Sequence, residues 1–179
     1  MDWLNSDRIA PYSYQCGYCG NRVGSNLGYC TPLTKGQGIY ICPLCSRPSY
    51  IIHNVVQFPG VPFGREIPHL PQGINSLYEE ARGCCSISAY TAAVLCCRKL
   101  LLNVAVDKGA QPNQRFIEYV NHLVNNHHVP PSAQAWVDKI RDKGNEATHE
   151  IVPMEKADAE NIISFVEMLL ALIYDYPNR

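Results

Sequence analysis

The sequence predicts a mainly α protein, an antiparallel helical bundle preceded by a small β ribbon. Three observations carry this. Two Cys-x2-Cys pairs lie near the front of the chain, a proline-dense stretch follows them, and long segments of helical periodicity with few glycines fill the remainder. At 179 residues and 46% hydrophobic, the chain is long enough for one well-packed domain and a small satellite. The expected organisation is a ribbon over 1–56, a connector over 57–73 and the helical part over 74–179.

Residues 1–56 are rich in Gly, Tyr and Cys, with short β-leaning pieces at Gly38-Ile39-Tyr40-Ile41 and Tyr50-Ile51-Ile52. Cys16-Gly17-Tyr18-Cys19 and Cys42-Pro43-Leu44-Cys45 form two knuckles separated by 22 residues. Each knuckle can turn two sulfurs toward one ion, and together they complete a closed tetrahedron, so Cys16, Cys19, Cys42 and Cys45 are expected to hold one structural Zn2+ per chain. Such an ion replaces the core that so short a segment cannot build. Cys30 and His53 are the alternative donors, but neither lies in a knuckle. From Phe58 to Gln72 a proline recurs every few residues, which blocks regular hydrogen bonding and favours an extended connector.

A first helix is expected from about Asn75 to Asp107, capped by Asn75 or Ser76, with Glu79 and Glu80 near its positive end, a kink at Gly83 and a stop at Gly109. Cys84, Cys85, Cys96 and Cys97 fall within it and read as small core hydrophobes rather than a second metal site. A second helix uses Phe116, Val120, Leu123 and Val124, ending at Pro130-Pro131, with His127-His128 placed to complement its C-terminal dipole. A third starts at the Ser132 cap, carries Trp136, Val137 and Ile140, and meets Gly144-Asn145. The last spans about Glu155 to Tyr174 and packs Ile162, Ile163, Val166, Leu169, Leu170 and Ile173.

Several function classes drop out early. Apolar runs such as Ala92 to Cys97 are far below the roughly 20 residues of a membrane span. No basic n-region followed by an apolar h-region precedes the nine cysteines, and their odd number suits reduced thiols, so a cytoplasmic protein without membrane contact is expected. A net charge of −1 offers no global attraction for phosphate backbones, leaving any nucleic-acid contact to a local patch. Walker, nucleophile-elbow and His-Glu-x-x-His motifs do not occur.

Three stretches carry a resemblance: Leu77-Tyr78-Glu79-Glu80-Ala81, then Ala89-Tyr90-Thr91-Ala92-Ala93 leading to Arg98, then Ile140 through Arg141-Asp142-Lys143-Gly144-Asn145-Glu146-Ala147-Thr148-His149. Over about residues 74–175 their order and spacing resemble the family called domain of unknown function 4145, within the HEPN superfamily of helical bundles. The resemblance implies a HEPN-like bundle, often homodimeric, in proteins of bacterial toxin and antiphage defence. It also implies an RNA-binding or RNA-cleaving effector, with Arg141, Asn145 and His149 as candidate catalytic residues and Arg98 and Lys143 as candidate phosphate-binding residues. The chemistry is metal-independent ribonucleolysis: an imidazole near neutral pKa moves a proton at a ribose oxygen while a guanidinium stabilises phosphate charge. On an unbroken helix Arg141 and His149 stand about 80° apart and roughly 12 Å along the axis, so their convergence requires a break at Gly144. Two alternatives stay open. Gly144-Asn145 can equally be a helix-crossing or capping point with His149 packed across the helices. The chain can equally be a non-catalytic adapter that binds another protein within a larger defence or restriction complex.

Overall fold

The computed structural model describes residues 4–30, 37–52, 56–130, 142 and 153–179. They fall into two compact units, Met1–Pro62 and Phe63–Arg179.

The first unit is a five-stranded antiparallel sheet in chain order: β1 (Asp7–Gln15), β2 (Arg22–Cys30), β3 (Gln37–Ile41), β4 (Pro48–Ile52) and β5 (Val56–Phe58). The two cysteine knuckles are its tight turns. Gln15 pairs with Arg22 on either side of the first, and Ile41 pairs with Pro48 on either side of the second. Tyr14, Val23 and Ile51 bury against Cys16 and Cys42 as a small core, and the rings of Tyr12, Tyr14 and Tyr40 cluster beside it. β1 is an edge strand whose register with β2 shifts between Arg8 and Tyr12, where Pro11 removes a ladder donor.

This sheet corrects the expected fold class. The chain is not a mainly α helical bundle with a minor ribbon; a five-stranded sheet forms one compact unit and the helices belong to another. The cause is local. Residues 7–15 contain Pro11 and residues 22–30 contain Gly24 and Gly28, which weaken a strand signal, yet each forms a nine-residue strand because the knuckle between them closes the hairpin and Tyr14, Val23 and the knuckle cysteines supply a small core.

The second unit contains α1 (Gln72–Ser86), α2 (Tyr90–Asp107), α3 (Phe116–Asn125) and α4 (Lys156–Leu170). After α4 the chain widens into a π turn, Ala171–Asp175, and a short 3-10 turn, Tyr176–Asn178. α2 packs against α1, α3 and α4 and buries Val94, Cys97, Leu100, Leu101 and Val104. α4 answers with Ile162, Ile163, Val166, Leu169 and Leu170, the residues its periodicity selected, while Ile173 is partly buried.

Three helix boundaries differ from the sequence reading. The expected continuous helix from Asn75 to Asp107 is broken: Ser88 adopts φ +64, Ser88 N–H and Ala89 N–H bond back to Cys85 O and Cys84 O, and α2 restarts at Tyr90. A left-handed serine ends a helix as glycine commonly does, a signal that composition hides. Gly83, the expected kink, stays inside α1. α1 also begins earlier, after Pro71, with Asn75 N–H already bonding Pro71 O and no side-chain cap. Similarly α3 stops at Asn125, ahead of Pro130, with His127 left-handed at φ +59.

The proline-dense stretch is divided between the units: β5 and Pro59–Pro62 belong to the first, and Phe63 onward belongs to the second. Residues 63–70 form a strap tied to the helices. Arg82 donates to Phe63 O and Gly64 O, Tyr78 Oη donates to Arg65 O, Arg65 pairs with Glu167 at 3.1 Å, and Ile67 is buried. The strap's end is held by His69 Nδ1, 3.5 Å from the buried Asp175 carboxylate, which also accepts Arg179 Nη2 at 2.6 Å.

Candidate metal centre

Each knuckle repeats one backbone pattern. In the first, Cys16 N–H bonds Asn21 O at 2.9 Å and Gly20 N–H bonds Cys16 O at 2.9 Å; in the second, Cys42 N–H bonds Arg47 O at 3.0 Å and Ser46 N–H bonds Cys42 O at 2.9 Å. The reversal demands a left-handed residue after the second cysteine, supplied by Gly20 at φ +69 and Ser46 at φ +58. Gly17 is required for a different reason. A Cβ there would lie 2.3 Å from Pro59 O and 2.6 Å from Gly60 O, so the segment after β5 packs on the bare backbone of the first knuckle. At Gly20 a Cβ meets nothing within 4 Å, so only the dihedral resists substitution. Gly20→Ala is therefore expected to lower the stability of the β unit by about 1 kcal/mol without changing metal stoichiometry, as read by denaturant unfolding and metal analysis.

The knuckles bring four sulfurs together, all within 4.8 Å of one another. Cys16 Sγ and Cys45 Sγ are 3.7 Å apart, and Cys19 Sγ and Cys42 Sγ 3.8 Å. A tetrahedron with metal–sulfur bonds of about 2.3 Å has edges of about 3.8 Å, so the spacing fits one ion held by all four. Backbone N–H groups aim at the sulfurs as they do at thiolates, including Tyr18 N–H at 3.4 Å from Cys16 Sγ. The Asn21 N–H holds the Cys19 thiol down to about 7, whereas burial pushes Cys45 up to about 12 and raises Cys16. Cys16, Cys19, Cys42 and Cys45 can thus hold a metal ion, and four sulfurs leave no open position for substrate. Cys30, exposed at the end of β2, stands outside the group, and His53 lies outside the described residues.

One feature of the knuckles escaped the sequence reading. The Arg47 guanidinium lies over the exposed Tyr18 ring, 5.1 Å from its centroid, joining the two knuckles outside the sulfur cage. The signal was an aromatic inside one Cys-x2-Cys and a basic residue two positions after the other.

One of the five residues assigned to catalysis or phosphate binding lies among the described residues. Arg98 projects from α2 over the Phe116 ring at 4.2 Å, half-buried, with its pKa lowered by burial. Arg141, Lys143, Asn145 and His149, with the expected helix at Ser132, lie outside the described residues; Asp142 is described as helical and exposed. The helical cysteines are free thiols at the α1–α2 contact. Burial pushes Cys96 up to about 11 and raises Cys85 and Cys97, which favours the neutral thiol over the thiolate. His122 Nε2 lies 3.0 Å from Lys108 O, while burial and the nearby Lys108 lower the His128 pKa. Among the described residues no helix is long and apolar enough to cross a membrane.

Fold and site together define a two-unit protein in which a tetracysteine β unit precedes a helical unit. The chain belongs to the family described as domain of unknown function (DUF4145), whose model matches residues 79–179, more than half its length and nearly all of the helical unit. No curated protein and no solved structure matched the chain.

Proposed function

We propose that this protein is an RNA-binding or RNA-cleaving effector, of the HEPN type its helical segments resemble, in which a zinc ribbon supplies recognition. The observation that carries the recognition half is the closed four-sulfur cage: it can stabilise a small β unit and present its outer surface, but offers no open coordination site for catalysis. Zinc is the ion that best suits four thiolates in a closed tetrahedron. Family membership supports the helical half. In that half Arg141 and His149 act at the phosphate and the ribose oxygen, Asn145 shares the His149 face where the segment is helical, and Arg98 and Lys143 hold phosphate. Pairing of two copies supplies a second set of the same groups, and nine reduced cysteines suit a cytoplasmic setting in bacterial defence.

The test is incubation of the purified chain with mixed RNAs during brief EDTA exposure. Cleavage is expected to persist in EDTA and to fall about a hundredfold or more in both Arg141→Ala and His149→Ala. Binding of RNA without cleavage by the wild type removes the nuclease half and leaves the binding half. Failure to bind or cleave any RNA favours the adapter reading, in which the same surfaces dock a protein.

A further inference from the structure

The pairing of β2 through β5 places four side chains in one row. Tyr29 is opposite Ile39, Ile39 opposite Tyr50, and Tyr50 opposite Phe58. Directly opposed residues share a face of a sheet, so all four project to the same side. The intervening positions Ser49 and Ile51 are buried on the other side, toward the cysteine core. The row itself stays open to solvent: Ile39 is 37% exposed, Tyr50 38% and Phe58 45%, with Tyr29 half-buried. One rung along, Ile52 pairs with Val56 and extends the same face.

A run of exposed aromatic and aliphatic side chains on one sheet face marks a binding surface. Charge decides between an apolar protein partner and a polyanion. Among the described residues of this unit Arg8, Arg22 and Arg47 are exposed against Asp7 alone, and the full stretch adds Lys35 and Asp2 without a single glutamate. A divalent ion in four thiolates would add a net charge of about −2 at a cage in which Cys16 and Cys42 are buried and Cys19 and Cys45 partly buried. The helical unit has the opposite bias, holding fourteen of the sixteen acidic residues but eleven of the fifteen Lys and Arg. The excess of exposed cationic side chains therefore lies on the unit that carries the aromatic row.

We infer that the Tyr29–Ile39–Tyr50–Phe58 face is the platform on which a single-stranded RNA stacks its bases, with the exposed arginines of the same unit neutralising phosphates. This rests on the RNA reading above and assigns its recognition surface. Adjacent strands lie about 4.8 Å apart, so Tyr50 and Phe58 can take neighbouring bases of an extended strand. Stacking on a ring face tolerates any base, so the platform selects single strands without reading their sequence.

The experiment is fluorescence anisotropy of the metal-loaded full chain with a labelled, unstructured RNA of about 12 nucleotides, a length within the usual range for such grooves. Tyr50→Ala and Phe58→Ala are each expected to weaken binding about tenfold, while Tyr50→Phe keeps wild-type affinity. Unchanged metal content and far-UV circular dichroism certify the fold of each variant. RNA bound equally by wild type and both alanine variants overturns the platform but leaves the RNA reading standing. No RNA binding by the wild type removes both. A wild-type dimer that Tyr50→Ala dissociates in sedimentation also overturns the platform, assigning the face to a second copy.

Discussion

Cys42→Ser is expected to release the metal and unfold residues 7–58 while the helical unit keeps its own cooperative transition. Cys42 is fully buried in the small core, and its sulfur is one of four equivalent corners. Serine places a poor ligand there, and three sulfurs cannot close the tetrahedron. Structural zinc contributes roughly 10–16 kcal/mol of binding free energy to small domains near neutral pH, and much of that is their folding free energy. The core left behind, Tyr14, Val23 and Ile51, is too small to hold five strands. The helical core shares none of these residues, so its unfolding should persist. Metal analysis should fall from one ion per chain to near none, cobalt substitution should lose its thiolate absorption, and proteolysis should spread through the β unit. Retention of one ion with native β signal in Cys42→Ser would mean that another donor completes the site. Acidification should reproduce the loss in the wild type, because each thiol must give up its proton to bind.

The four-sulfur cluster was legible in the sequence because its information is local: two cysteines three positions apart with glycine or proline beside them dictate a turn whatever surrounds them. Of the strands flanking those turns, β3 and β4 showed in the β-leaning pieces 38–41 and 50–52, whereas β1 and β2 did not show. Pro11 interrupts β1 and Gly24 and Gly28 interrupt β2, and their state is decided by a hairpin closure and a cysteine core that only pairing across the sheet reveals. The α4 stripe was readable because five apolar residues at helical spacing meet one core. The break between α1 and α2 was not, because a left-handed Ser88 ends the helix where the apolar pattern runs on. The aromatic row belongs to the same class as β1 and β2: Tyr29, Ile39, Tyr50 and Phe58 are distant in sequence and become one surface only through register.

Arg82→Met is expected to cost about 3 kcal/mol and to free the strap over residues 63–70, a role that sequence reading missed because the partners are main-chain carbonyls. Arg82 is 7% exposed, with Nε bonded to Phe63 O at 3.0 Å, Nη2 to Gly64 O at 2.8 Å and Nη1 to both Glu79 oxygens at 2.7 and 2.8 Å. Methionine keeps much of the side-chain volume but satisfies neither carbonyl, and each unpaired acceptor costs about 1–3 kcal/mol if it stays buried. The ion pair contributes less, because the Glu79 side chain is 42% exposed and rehydrates when its partner is lost. Glu79→Gln should therefore cost under about 1 kcal/mol, and Arg82→Lys should resemble Met more than Arg, since an ammonium cannot span two carbonyls and a carboxylate in the planar fork. Urea unfolding of the three variants separates the two contributions, and early protease cleavage within 63–71 reports the strap directly. Equal losses in Glu79→Gln and Arg82→Met would place the stabilisation in the salt bridge, making the carbonyl contacts incidental to how the strap is held.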